Sequence, residues 1–529
     1  MKVASDAPSR APGAKPGSPC DAAARARPWM VAAVAAVVAA GVVLRFVTRS
    51  DLWLDEALTV NIARLPLGEL EEALRHDGAP PLYYVLLHGW MEVAGDGDVA
   101  VRAMSGLFAV ASLPLAFLVG RRVGGRAVAW AAVVVLASSP YAIRYATENR
   151  PYSLQILLVL LGWLALCGAL ERPGLAPLAA VAAVTGLLLY TQYWSMWLLA
   201  IVGVCLVWRA VRGEALADRQ AARSAIVAIV AGGLTFLPWV PTFLYQAANT
   251  GTPWGERILP TAGFSIAAYE FAGGQRHSEA TALLVPLLVL ALLAIFGRAL
   301  DARRVELDLR TRPGVRLQAA VLVAALLLGL LASYAGGTTF AGRYAAGLFP
   351  LFVMVVAFGF TVFADARVRY VALALVAALG LVGGVRNLVE NRTQAAQAAA
   401  VIRAEAEPGD VVVYCPDQVG PDVSRLLRDE EGLEQLTFPD GDPPEFVDWV
   451  DYQERIDRAD TQAFAAEVLE RAGETHTVWF VISPGYRNFE GECEAIEAGL
   501  SAGRPGARTR VAPDDQFFEF QGLIEYPKP

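Results

Sequence analysis

Pro28-Trp-Met-Val-Ala-Ala-Val-Ala-Ala-Val-Val-Ala-Ala-Gly-Val-Val-Leu-Arg-Phe46 is the stretch that decides the class of protein. It outruns a signal-peptide core of roughly 7–15 apolar residues and reads as an uncleaved first membrane span. A helix that crosses a bilayer needs about 20 mostly apolar residues. With this span placed at residues 29–47, ten more runs follow, near 102–120, 127–144, 153–170, 174–192, 194–211, 225–245, 280–297, 317–335, 345–363 and 369–385. Only Tyr193 and its neighbours separate the fifth span from the sixth. The expected fold is a polytopic α-helical membrane protein with about eleven transmembrane helices over residues 29–390, plus a small C-terminal α/β domain.

Composition supports two unlike parts. Of 529 residues, 55% are hydrophobic and 18% charged, against about 25% charged in soluble chains. Residues 403–529 hold 28 of the 52 acidic and 11 of the 44 basic side chains, so the net charge of −8 belongs to the tail. Within residues 391–529, Asp410-Val-Val-Val-Tyr414 and Thr477-Val-Trp-Phe-Val-Ile482 have the form of buried strands. Residues 419–431 and 460–472 have helical spacing. No basic patch sits on a soluble module, so no nucleic acid is expected as a partner. Cys415 and Cys493 are open to a disulfide if the tail lies outside the cytoplasm. The four histidines are too dispersed to form a dedicated metal site. Residues 1–28 are rich in Ala, Pro, Gly and Arg and read as a disordered cytoplasmic arm.

The arginines set the expected orientation. With the N-terminus inside, the cytoplasmic connections contain Arg121, Arg122 and Arg126; Arg172; Arg209, Arg212, Arg219 and Arg223; Arg298, Arg303, Arg304, Arg310, Arg312 and Arg316; and Arg367 and Arg369. This is a positive-inside pattern. It places the first long loop, residues 48–101, and the tail together on the outer face. A second outer loop, residues 246–279, carries Trp254, Glu256, Arg257, Gln275, Arg276 and His277. Residues 64–75 and 81–94 of the first loop read as amphipathic stretches lying at the interface.

Candidate chemistry gathers on that outer face. Leu52-Trp-Leu-Asp-Glu-Ala57 follows the first span, and its adjacent carboxylates point in different directions on a helix or turn. They suit two jobs, a general base and a group that orients it or holds a cation. The bland reading is a solvated loop with an interfacial Trp. Arg144-Tyr-Ala-Thr-Glu-Asn-Arg-Pro-Tyr-Ser153 sets Glu148 between Arg144 and Arg150. Its guanidiniums suit phosphate oxygens; a mere intraloop salt bridge is the alternative. Arg343 in Phe340-Ala-Gly-Arg-Tyr344 breaks the positive-inside pattern and is either an anion ligand or a headgroup-snorkelling side chain. Asp77-Gly-Ala-Pro-Pro-Leu-Tyr-Tyr84 gives a rigid entry to a helix; the motif is either purely architectural or turns Asp77 toward the same cavity as Asp55. His88 reads as a packed interfacial residue. An acid or base group facing a phosphate-binding group would suit a reaction whose leaving group is a lipid-linked phosphate.

In these four motifs, taken in order over about residues 20–390, the chain resembles the GT-C superfamily of membrane glycosyltransferases. It is similar to the protein O-mannosyltransferase and aminoarabinose-transferase families within it. The resemblance implies a sugar taken from a polyprenyl-phosphate donor at the outer face, usually with inversion. Asp55 would deprotonate the acceptor, Glu56 would support it, and Glu148 would be the second acidic position. Glu-Asn-Arg stands here where relatives often read Glu-Ala-Arg. Arg150 and Arg343 would hold the donor phosphate. Asp77, Tyr83, Arg144, Tyr152 and Tyr344, in the same motifs, are expected at the substrate. No cofactor is required by this chemistry, although some relatives use a divalent cation. The acceptor is left open among glycan, lipid and protein; the central loops have no β-trefoil insertion of the yeast type. Only three lysines against abundant arginine point to a bacterial envelope. The rival classes are a lipid or sugar transporter, which would place its charges mid-membrane in repeated halves, and a non-catalytic envelope assembly protein.

Overall fold

The computed structural model describes residues 28–274, 278–310 and 312–529. Residues 1–27 of the expected arm, and Gln275, Arg276 and His277, lie outside the described residues.

Apolar composition over long stretches makes the first three quarters a helical bundle. Among the described residues, seven helices are long and apolar enough to cross a membrane: Asp98–Ser138, Tyr152–Glu171, Ser195–Arg212, Leu216–Asn249, Pro313–Ala335, Gly342–Val362 and Ala366–Val389. Pro28–Leu44, Leu175–Thr191 and Ala280–Phe296 are apolar but shorter. The seven fall short of the expected eleven partly because the 41-residue Asp98–Ser138 joins two expected spans across a break at Gly125 (φ 78°). Its end is set by Pro140, which opens the short helix Pro140–Ala146. The orphan carbonyls there are claimed by buried Arg45, whose guanidinium donates to Leu136 O at 2.7 Å and Ala137 O at 2.8 Å.

Gly342–Val362 is the bundle's axis, with 94% of its apolar window enclosed. Outer helices do the reverse. Trp208 is 68% exposed and Val204 and Val211 are similarly bare. Apolar faces of that extent are at home in lipid and not in water. The chain is a multi-pass membrane protein.

The tail is built on a five-stranded mixed sheet. The strands β3 (Val411–Cys415), β4 (Glu434–Thr437), β5 (Val478–Ile482), β6 (Arg508–Val511) and β7 (Gly522–Tyr526) lie in the order β4-β3-β5-β7-β6. Two earlier strands, β1 (Gly297–Ala299) and β2 (Val305–Leu307), form a separate antiparallel hairpin between the bundle helices Ala280–Phe296 and Pro313–Ala335. β3 is parallel to both β4 and β5, and β7 is antiparallel to β5 and β6. Helix Thr461–Ala472 starts where Asp460 accepts from Gln462 N and Ala463 N. Cys415 and Cys493 are bonded, tying β3 to helix Glu492–Gly503.

The tail rests on the loops that carry the candidate site. Asn61 donates to Glu445 O at 2.8 Å, Trp449 N to His76 O at 3.1 Å, and Arg425 to Asp98 at 3.0 Å.

Candidate active site

The site starts from the helix Leu54–Arg64. Trp53 at its N-cap provides no side-chain cap. The tail provides one instead: Leu54 N donates to the Glu519 carboxyl, 3.1 Å from Oε2. Phe518 packs edge-on against Trp53, with ring centroids 5.2 Å apart. Residues in the first turn of a helix sit about 100° apart around its axis, and here that rotation sends Asp55 and Glu56 to different surroundings.

Asp55 is 18% exposed and joins two arginines from distant segments. Its Oδ2 lies 3.6 Å from Arg343 and 3.9 Å from Arg150. Arg150 also donates to Thr59 Oγ1 at 2.7 Å, which ties the loop at 147–151 to the Asp55 helix. Trp53 and Trp254 flank the Arg343 guanidinium at 5.8 and 5.4 Å. Arg343 sits where it does because Gly342 packs against Glu270; a Cβ there would meet Glu270 Cγ at 2.0 Å. The Nε–H groups of Arg150 and Arg343 are both buried without a hydrogen-bond partner among the described residues. Tyr344 stacks on Trp194, and Tyr152 is buried beside Tyr145.

Glu56 is fully buried. Arg102 grips both of its oxygens, at 2.7 and 2.5 Å, and Asn149 N donates to Oε1 at 2.8 Å. Arg102 simultaneously holds Ser50 O and Asp51 O. Arg392 closes the cluster from beyond the last membrane helix, 3.3 Å from Glu148 and 3.7 Å from Glu56. Arg144 donates to Glu148 at 3.1 Å. The structure therefore sorts the predicted residues into two layers. Asp55, Arg150 and Arg343 form an accessible layer; Glu56 and Glu148 sit beneath it in a buried ionic cluster.

The remaining predicted residues divide similarly. Tyr83 is completely buried, donating to Asn149 Oδ1 and sharing a hydrogen bond with Ser105. It holds the loop at 147–151 and does not reach the accessible layer. Asp77 is half-buried and accepts from Tyr84 at 2.6 Å. Burial pushes its carboxyl pKa up, with the Arg150 charge opposing. His88 bonds Ala63 O, a packing role.

Sequence reading missed Arg102, Arg392, Asn149, Glu270 and Glu519. A signal existed for the arginines. Arg102 begins one expected span and Arg392 follows another, so both break the positive-inside pattern just as Arg343 does. Among the described residues no group of three or more His, Cys, Asp or Glu is arranged to hold a metal ion.

The model of the dolichyl-phosphate-mannose-protein mannosyltransferase family matches residues 78–239. Two solved structures of ArnT from Cupriavidus metallidurans share the whole architecture. The one bound to undecaprenyl phosphate has a TM-score of 0.56 at 13% identity, over 95% of this chain and 99% of that one. The apo form has a TM-score of 0.58 at 12% identity, over 94% and 98%. The chain has the fold of these ArnT structures. No curated protein sequence matches the chain.

Proposed function

We propose that this chain is a GT-C glycosyltransferase that moves a sugar from a polyprenyl-phosphate donor to an acceptor hydroxyl at the outer membrane face. The observation that carries the reading is the convergence of Arg150 and Arg343 on one oxygen of Asp55. An acceptor hydroxyl held by Asp55 attacks the anomeric carbon, and its proton passes to the carboxylate. The sugar C–O bond breaks on the opposite side, and the electron pair leaves with the polyprenyl phosphate. Arg150 and Arg343 stabilise the charge that develops there. Attack opposite the leaving group inverts the anomeric centre. Glu56, Glu148 and Tyr83 act as positioning residues that hold the Asp55 helix and the Arg150 loop. Asp77, Arg144, Tyr152 and Tyr344 border the same region and take part in substrate placement.

Two guanidiniums already supply the positive charge that a phosphate leaving group needs, so no divalent cation is assigned a role. The undecaprenyl phosphate in the ArnT structure supports a lipid-phosphate donor. On this reading the break at Gly125 and the three shorter helices make up eleven crossings, and the arginine-rich connections put the N-terminus in the cytoplasm and the tail outside. The Cys415–Cys493 disulfide supports an oxidising compartment for the tail.

The test is to incubate the detergent-purified chain with polyprenyl-phosphate-linked mannose, arabinose or glucose and a membrane extract. Release of free polyprenyl phosphate with one of these donors is the expected result. Sugar movement across vesicles without bond cleavage would favour the transporter instead, and the absence of both results would favour the non-catalytic assembly protein.

A further inference from the structure

At the end of the bundle away from Asp55 lies a cavity of about 540 Å³, walled by Arg298, Arg310, Arg312 and Arg316, with Asp308 and Thr361. The helix Pro313–Ala335 leads from this cavity toward Arg343. Its 23 residues rise about 34 Å at 1.5 Å each, a full bilayer core. Gly342–Val362 runs back and delivers Thr361 to the cavity wall.

Cytoplasmic arginines by themselves mark topology and need no ligand. Three features set this group apart. First, the side chains converge on a concavity large enough for a phosphate with an attached polar group. Second, the Arg312 guanidinium is only half satisfied. Its Nη2 donates to Thr361 Oγ1 at 3.2 Å, while Nη1 is buried with no hydrogen-bond partner among the described residues. Third, the one carboxylate in the wall is already engaged, since Asp308 accepts from Arg310 N at 2.9 Å. By contrast, Arg304 in the same connection pairs with Asp301 at 2.6 Å and is absent from the cavity wall. The cavity also faces the N-terminal end of Pro313–Ala335, whose dipole favours an anion.

We propose that this cavity is a binding site for a phosphate-bearing anion, on the opposite side of the membrane from Asp55. The anion's phosphate engages Arg312 Nη1 together with Arg298 and Arg310, and the rest of the cavity takes the group it carries. A lipid headgroup and a soluble phosphate share this chemistry. The proposal is independent of the glycosyl-transfer reading, because it concerns binding alone.

Binding to the full-length chain in neutral detergent is titrated with dihexanoyl phosphatidylglycerol, dihexanoyl phosphatidylcholine and inorganic phosphate. Arg310→Ala/Arg312→Ala is compared with Arg303→Ala/Arg304→Ala, which removes the same charge from the same connection outside the wall. That comparison cancels binding at any other phosphate site. The expected result is saturable binding weakened about tenfold in the first double variant only, the loss of a charge-assisted contact. Phosphatidylglycerol alone binding identifies a lipid headgroup; inorganic phosphate binding equally well identifies a soluble ligand. Should the first double variant fail to purify, Arg310→Glu at its exposed position must show the same loss. Binding that is absent for both anions, no better than for phosphatidylcholine, or equally weakened in the two doubles overturns the proposal.

Discussion

Asp55 and Glu56 are adjacent in the chain yet belong to different parts of the molecule: Asp55 meets Arg150 and Arg343 in the accessible layer, and Glu56 is locked beneath it by Arg102. The helix that carries both converts a single sequence step into a separation of chemistry from support. The two residues should therefore fail in different ways.

Replacing Glu56 leaves Arg102 buried and under-compensated. Breaking a buried ion pair costs about 3–5 kcal/mol, and Glu56→Gln should lower the thermal midpoint of the purified protein accordingly. Asp55→Asn should leave that midpoint nearly unchanged. Equal midpoints for the two variants in detergent would show that the Arg102 cluster is not what holds this helix.

Arg343 should act on the donor. Arg343→Ala is expected to lower kcat by about 100- to 1,000-fold, the scale of one lost donor to a developing oxyanion. Arg343→Lys should recover only part, since a lysine lacks the planar fork. Initial rates over a range of lipid-phosphate sugar concentrations would separate this from a simple rise in KM. Full recovery by lysine would reduce the role to bulk charge.

The tail should be more stable in mild acid than at neutral pH. Burial raises the Glu519 carboxyl pKa well above its ordinary value, and the adjacent Asp422 adds to this. Burial likewise pushes Asp422 up to about 6. Unfolded carboxyls titrate near about 4, so between about pH 4 and 6 the folded tail binds more protons than the unfolded chain. Its stability must then fall as pH rises through that window. The urea midpoint of the tail's unfolding, followed by its tryptophan fluorescence, should fall over the same range. Glu519→Gln keeps an acceptor and should flatten the response; an undiminished pH dependence in that variant would assign it elsewhere.

Divalent cations should be dispensable. With two guanidiniums beside Asp55, transfer rates should be unchanged by a chelator. A loss restored by added Mg²⁺ or Mn²⁺ would place a metal between Asp55 and the donor phosphate.

Hydropathy made the bundle readable, because lipid demands long apolar helices wherever they occur. Thr191 and Ser195 do end and begin separate helices on either side of Tyr193. The positive φ at Gly125, which breaks the 41-residue helix Asp98–Ser138, falls in the arginine-bearing connection expected between the second and third spans. Within the site, Asp55, Arg150 and Arg343 were visible as charges at span ends, where burial is costly and charges rarely lie idle. The separation of Asp55 from Glu56 was only half legible. Local geometry sends them apart, but the partners of Glu56 lie 46 residues away at Arg102 and beyond the last span at Arg392. Tyr83 was expected at the substrate because it lies in the Asp77–Tyr84 motif, and packing against Ser105 and Asn149 turned it inward. Glu519 was illegible, since the cap it gives Leu54 spans 465 residues and no local pattern encodes it.

The most direct measurement is the release of free polyprenyl phosphate from a lipid-phosphate sugar donor that the wild-type chain cleaves, compared with Asp55→Asn under identical conditions. A general base contributes about 100- to 10,000-fold, so release by the variant should fall by that factor while its thermal midpoint stays at the wild-type value. Release at the wild-type rate by folded Asp55→Asn protein would contradict Asp55 as the base.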